Sequence, residues 1–283
     1  MTGTPIISTS ILKNADQNQL AAAVEGNLFD LFRSMLVLSG AELAERARLS
    51  RHHAFPASPM FKAVWQTRLA PAEVNAAIDD CLAYFQSRNA PFFFWWIGNA
   101  TQPRDLGERL AARGFQAWEL NAPGMAADLS HLDYAAMQRV PANFVIERVT
   151  NEAGLTAFKH TFITSYGVPE WAAQAWVDAT QSVGIERAPW GIYVGWQNDE
   201  PVACTISYNG GGVASVYGVG TIPTARKQGL GAAITLRAYR DALEQGYRYG
   251  VLFATEDGLP VYRRIGFKDT EARISRYLWR QAS

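Results

Sequence analysis

The chain has 283 residues, enough for two compact domains, and its 48% apolar and 18% charged residues carry no signature of disorder. Its 26 basic side chains balance 26 acidic ones, which argues against a non-specific nucleic-acid binder, since that would need a basic face for phosphates. The two cysteines, Cys81 and Cys204, make no disulfide framework. The adjacent His52 and His53 cannot both face one ion from a strand or helix, so no metal site is expected.

The first twenty residues lack a basic region followed by a long apolar run, as a secretory leader would have. The most apolar stretch, Pro91 to Ile97, is far too short to span a bilayer. A cytoplasmic protein with neither a membrane nor a nucleic-acid partner is the expectation.

From Asp16, the residues Leu20, Val24, Leu28, Leu31, Phe32 and Met35 recur at helical spacing, and Gly40 supplies a stop. A second helix is expected over 71–87, where Val74, Ile78, Leu82 and Phe85 share a face. Residues 92–97 read as a buried strand and 103–113 as a short helix ended by Gly114. Two strand-like runs follow, at 115–120 and 124–129. The stretch 130–143 offers at most one helical turn, so a domain boundary is placed near 135.

The second half opens with a strand at 144–149 and two helices, roughly 153–164 and 170–183. Three strands are then expected at 190–196, 201–208 and 213–219. The connectors, Gln197 to Glu200 and Asn209 to Gly212, are turn chemistry, so these strands form an antiparallel meander. A long helix over 229–245, a buried strand at 249–254, a short helix at 260–265 and a last strand at 274–278 complete the chain. The two halves share an order: a buried strand, a short helix, then Gly-Phe (Gly114-Phe115 and Gly266-Phe267), which suggests duplication.

The sharpest motif is Arg226-Lys227-Gln228-Gly229-Leu230-Gly231, after a strand and at a helix start. A helix N-terminus offers unpaired amides and the positive end of its dipole to a diphosphate. Glycines at 229 and 231 remove the Cβ atoms that would hold a phosphate off the backbone. Arg226 and Lys227 add charge. Neither a Walker loop nor a dinucleotide fingerprint fits these residues.

The run Val219-Gly220-Thr221-Ile222-Pro223-Thr224-Ala225 leading into that motif resembles the acetyl-CoA segment of the GNAT acyltransferase superfamily. Pro260 to Phe267, with Tyr262 four residues before Gly266, is similar to that family's Tyr-x-x-x-Gly-Phe element. The resemblance covers about residues 144–280. It implies an α/β fold of the α+β type, with a mixed, mostly antiparallel central sheet flanked by helices. Residues 136–283 would form the acyl-CoA-binding GNAT domain, and residues 1–135 a degenerate GNAT-like copy in tandem.

The resemblance further implies acetyl-CoA as co-substrate, with pantetheine lying along a splayed strand as an added strand would. The residues it implicates in binding are Val219, Gly220, Thr221, Arg226, Lys227, Gln228, Gly229, Leu230, Gly231, Ala232 and Thr255. It makes Tyr262 the acid that protonates the leaving thiolate. The acceptor it implies is an amine, with a hydroxyl or a thiol as the alternatives. No carboxylate occurs along 213–219, where many relatives carry a glutamate, so no base is named; Glu256 and Asp257 follow the next strand. Tyr166, Trp171, Trp176 and Trp190 are aromatics for either a core or an acceptor pocket. The N-terminal half has no glycine between Gly40 and Gly98, and Glu73 stands at its helix start where phosphates would sit. Two other functions compete with catalysis: a CoA-binding sensor without turnover, and a peptide-bond former using aminoacyl-tRNA. The second is disfavoured by the charge balance and by the glycine loop.

Overall fold

A computed structural model describes residues 10–55 and 58–281. The chain divides into two compact units that are not contiguous in sequence. One holds the described residues up to Leu31 and Gly124–Glu271; the other holds Phe32–Pro123 and the described residues from Ala272.

The first unit is built on strands β6 (Phe144–Arg148), β7 (Trp190–Gln197), β8 (Glu200–Gly210), β9 (Val213–Thr221) and β10 (Tyr249–Phe253). β6 to β9 pair antiparallel in chain order, and the two turn sequences account for the β7–β8 and β8–β9 steps. β10 lies parallel to β9, paired only at Gly250–Ala214 and Val251–Ser215. A parallel pair needs a crossover, and α6 (Leu230–Glu244) supplies it. α6 buries Leu230, Ala233, Ile234, Leu236, Ala238, Tyr239 and Ala242 against Ala214, Val216 and Leu252. Helices α4 (Glu152–Tyr166) and α5 (Glu170–Val183) follow β6, and α7 (Leu259–Arg264) follows β10. Asn151 caps α4 by accepting from the Gly154 amide at 2.9 Å. Helix α1 (Gln17–Ser34) contributes its residues up to Leu31 to this unit. Its Asn27 donates to the Gly210 and Val213 carbonyls at 2.8 and 3.2 Å, fastening the β8–β9 hairpin.

The second unit repeats that order. Strands β1 (Glu42–Arg46), β2 (Leu49–His53) and β3 (Lys62–Trp65) form an antiparallel meander, and β4 (Phe92–Gly98) is parallel to β3. α2 (Val74–Gln86) is the crossover, and α3 (Leu106–Ala111) precedes Gly114-Phe115 as α7 precedes Gly266-Phe267. Val74, Ile78, Cys81, Phe85, Phe93, Trp95 and Phe115 fill its core. Three of these strands, β1 to β3, lie where sequence patterning shows none.

The two longest strands explain why the expected boundary near 135 does not coincide with the compact units. β5 (Gln116–Asp128) follows the first Gly-Phe, yet its end pairs antiparallel with β10, Tyr249 facing Asp128. β11 (Lys268–Arg280) follows the second, yet pairs with β4, Ile274 facing Gly98. Each unit is therefore completed by a strand from the other half of the sequence, and a single cut near 135 would part β5 from β10 and β4 from β11. β5 is also one strand where two were expected: Asn121, at φ +54°, and Pro123 bend it without ending it. Among the described residues, no helix is long and apolar enough to cross a membrane.

Candidate functional site

β9 turns at Pro223 through one short 3₁₀ turn into Arg226 to Gly229, and α6 begins at Leu230. Gly229 has φ +79°, a left-handed conformation that costs other L-residues about 1–2 kcal/mol. A Cβ there would meet only Val140 Cγ1, at 3.7 Å, so the glycine serves the backbone's path and leaves its outer side open. The first helical bond runs from the Ala233 amide to the Gly229 carbonyl at 3.0 Å. The amides of Leu230, Gly231 and Ala232 thus belong to the first turn, whose N–H groups have no partner within the helix. Gly231 lies under Thr221, where a Cβ would stand 3.4 Å from Thr221 Oγ1. The loop residues expected from sequence, together with Val219, Gly220 and Thr221, are brought together here. An anionic diphosphate fits this cradle of glycine backbone and helix N-terminus.

The side chains of the loop do other things than charge alone suggests. Arg226 donates through Nε to the Thr221 carbonyl at 3.2 Å and through a terminal nitrogen to the Ser165 carbonyl at 2.9 Å, tying α4 to β9. Gln228 accepts from Gln197 Nε2 at 3.1 Å, which braces the loop against the end of β7. Lys227 is exposed, with φ +64°. Thr255 lies beyond β10, where its hydroxyl accepts from the Gly258 amide at 3.2 Å and caps the turn into α7.

β9 carries a bulge where its register against β8 shifts between Cys204 and Ile206. At the bulge the strand is pressed onto α4. A Cβ on Gly218 would sit 2.7 Å from the Phe162 ring, and one on Gly220 would sit 2.8 Å from Ser165 Cβ. Tyr166, next along α4, donates its hydroxyl to the Val219 carbonyl at 2.8 Å. Tyr217 donates to Asn27 Oδ1 at 2.6 Å, and Tyr208 donates to Asp30 Oδ2 at 2.9 Å. Asn27 and Asp30 were missed from sequence. They flank the apolar stripe of α1, and no local signal shows that a helix near the N-terminus meets β8 and β9.

Tyr262 is buried on α7 beside Phe267, ring centroids 6.2 Å apart, and touches the core that holds α6. Burial pushes its phenol well above the ordinary value, so it is protonated at neutral pH. Its hydroxyl makes no hydrogen bond to another described residue. Glu256 and Asp257 are exposed in the turn before α7. Trp176 and Trp190 pack edge to face at 5.5 Å, with the Trp190 indole donating to Thr180, and are core. A separate cavity of about 500 Å³ opens at Arg148, Asn151, Trp196 and Arg237, beside β6, and none of the sequence-expected cofactor residues lines it.

Residues 156–267 match the family model described as "Acetyltransferase (GNAT) family". The C-terminal half carries a GNAT domain. The matched segment runs from α4 through the glycine loop to Phe267, so it includes both motifs and the strand between them. A protein named mycothiol acetyltransferase, from Saccharomonospora viridis, is 34% identical over 106 residues. That match covers 36% of this chain and 34% of the relative, so the chain spans about a third of the curated protein it resembles. A GCN5-related N-acetyltransferase from Kribbella flavida shares the fold with a TM-score of 0.68 and 19% identity, over 96% of this chain and 98% of that one. A structure described as a tandem GNAT protein from the clavulanic acid biosynthesis pathway shares it with a TM-score of 0.56 and 12% identity, over 96% and 98%. At these identities the likeness speaks for the fold, which extends beyond the GNAT domain into the N-terminal half.

Proposed function

We propose that this chain is an acyl-CoA-dependent N-acyltransferase that moves an acetyl group from acetyl-CoA to an amine of a small molecule or peptide by direct attack. The observation that carries the reading is the divergence of β9 from β10 directly beside the α6 N-terminus. The strands pair only at Ala214 and Ser215, so the edge of β9 from Val219 to Thr221 leads to the glycine loop without a strand partner on that side. An acyl-CoA would lay its diphosphate on the amides of Gly229 to Ala232 and its pantetheine along that edge. The co-substrate supplies the activated acyl group. The chain holds it in place, presents main-chain amides near Val219 to a developing oxyanion, and offers the protonated Tyr262 as donor to the leaving thiolate. The GNAT match and the acetyltransferase-named relative support acyl transfer.

The second unit is, on this reading, a degenerate tandem copy that binds no acyl-CoA. It repeats the meander, crossover helix and Gly-Phe turn, but Glu73 fills its helix start, accepting from the Ala70 amide at 2.9 Å and from Arg48. One observation favours a second reading. β9 has no carboxylate anywhere along Val213–Thr221, which suits a CoA-binding sensor without turnover. A screen of acetyl-CoA turnover across amines, amino acids and peptides, following free thiol, decides between them. Turnover with an amine supports the transferase; CoA binding with no turnover on any acceptor supports the sensor.

A further inference from the structure

The hydrogen-bonding phase of β9 shows which of its groups face outward. The Ile222 amide donates to the Val202 carbonyl at 3.0 Å, so residue 222 and, two residues back, Gly220 point their polar groups at β8. Val219 and Thr221 therefore point theirs the other way, along the edge where pantetheine would lie. Both of those outward carbonyls are held by side chains. Arg226 Nε takes Thr221, and the Tyr166 hydroxyl takes Val219 at 2.8 Å.

The two holders differ. Arg226 is also bonded to the Ser165 carbonyl at 2.9 Å, so it bridges helix and strand. Tyr166 is 43% exposed at the last position of α4, its ring 4.9 Å from Phe162, and it reaches over the strand edge from outside. Rotation about χ1 at this last helical position moves the side chain and leaves the helix backbone in place.

We propose that Tyr166 is a gate on the acyl-CoA cleft: its hydroxyl occupies the carbonyl that a pantetheine amide must take, and the ligand enters by exchanging one hydrogen bond for the other. This rests on the acyl-CoA reading above and adds a competing, displaceable residue to it. Arg226 stays in place as the fixed end of the edge. Binding then releases Tyr166 at the side where Phe162 and Gly218 meet, so cofactor entry and the opening of that side are one event.

The test is the affinity of two ligands for the wild-type protein, Tyr166→Phe and Tyr166→Leu. Acetyl-CoA carries pantetheine; 3′-phosphoadenosine 5′-diphosphate carries the diphosphate without it. Removing the competing hydroxyl should tighten acetyl-CoA by about two- to tenfold, the range for one net hydrogen bond, and leave the nucleotide unchanged. The leucine variant keeps an apolar contact with Phe162 and should shift the same way. Acetyl-CoA binding that is unchanged or weaker in both variants overturns the gate, as does an equal shift for both ligands. If wild-type protein binds neither ligand, the acyl-CoA reading itself falls and takes the gate with it.

Discussion

Gly220 and Ser165 are pressed together so closely that no side chain fits between them. A Cβ on Gly220 would lie 2.8 Å from Ser165 Cβ and 2.9 Å from its hydroxyl, with Cys204 Sγ at 3.3 Å. The bulged part of β9 is thereby set by α4, and the outward edge at Val219 and Thr221 is set with it. Gly220→Ala should force the end of α4 off the strand. Overpacking of this kind costs about 1–3 kcal/mol, which urea denaturation would register as a lower midpoint at constant slope. Acetyl-CoA affinity should fall in the variant that remains folded. A variant as stable as the wild type, with the same affinity, would show that the contact does not set the edge.

Tyr262 separates catalysis from mere binding. Tyr262→Phe keeps the ring against Phe267 and removes only the proton donor. If the phenol protonates the leaving thiolate, turnover should drop by about 100- to 10,000-fold, the range for a positioned acid, while acetyl-CoA affinity barely changes. A fall below about threefold would make Tyr262 a packing residue.

His52 gives the second unit a pH-dependent stability. Its Nδ1 accepts from the Trp65 indole at 3.2 Å, so its Nε2 carries the hydrogen and donates to the Met60 carbonyl at 3.1 Å. That fixes the neutral tautomer, and a second proton would meet the indole N–H head on. Burial is the largest cause pushing the imidazole down, to about 4. The unfolded chain takes up its proton near 6.5, so between the two values it binds more protons than the fold. The contribution is complete above about pH 6.5 and is lost as pH falls towards 4, to the extent of about 3 kcal/mol. Denaturation from pH 7 to pH 4 should show a steeper loss for wild type than for His52→Gln, whose amide can make both bonds. Equal slopes would remove His52 as the cause.

The sequence made the C-terminal half readable because its breaks carry distinctive chemistry. Gln197 to Glu200 and Asn209 to Gly212 mark the meander, and Gly229 with Gly231 marks the start of α6. β1 to β3 were invisible for the opposite reason. β2 reads Leu-Ser-Arg-His-His, polar residues held in a sheet by tertiary partners: Arg51 stacks over Tyr84 at 3.8 Å, and His52 packs on Phe32 at 4.7 Å. The exchange of β5 and β11 left no mark either, since both strands look alike to their own and their exchanged neighbours. At the site, the loop and Tyr262 follow from local motifs. The bonds from Tyr166 to Val219 and from Tyr217 to Asn27 join residues 53 and 190 positions apart, and no periodicity reports such contacts.

The central claim is that the glycine loop of the first unit holds one acyl-CoA and that the second unit holds none. Calorimetric titration of the full chain with acetyl-CoA, beside Gly229→Asp, tests it most directly. The carboxylate has room, as the nearest atom to a Cβ there is 3.7 Å away, and aspartate tolerates the left-handed backbone better than most residues. It places negative charge where the diphosphate would rest. The account predicts one site per chain in the wild type and no measurable binding in a variant that stays folded. Two equivalent sites per chain, or unchanged affinity in the variant, would contradict it.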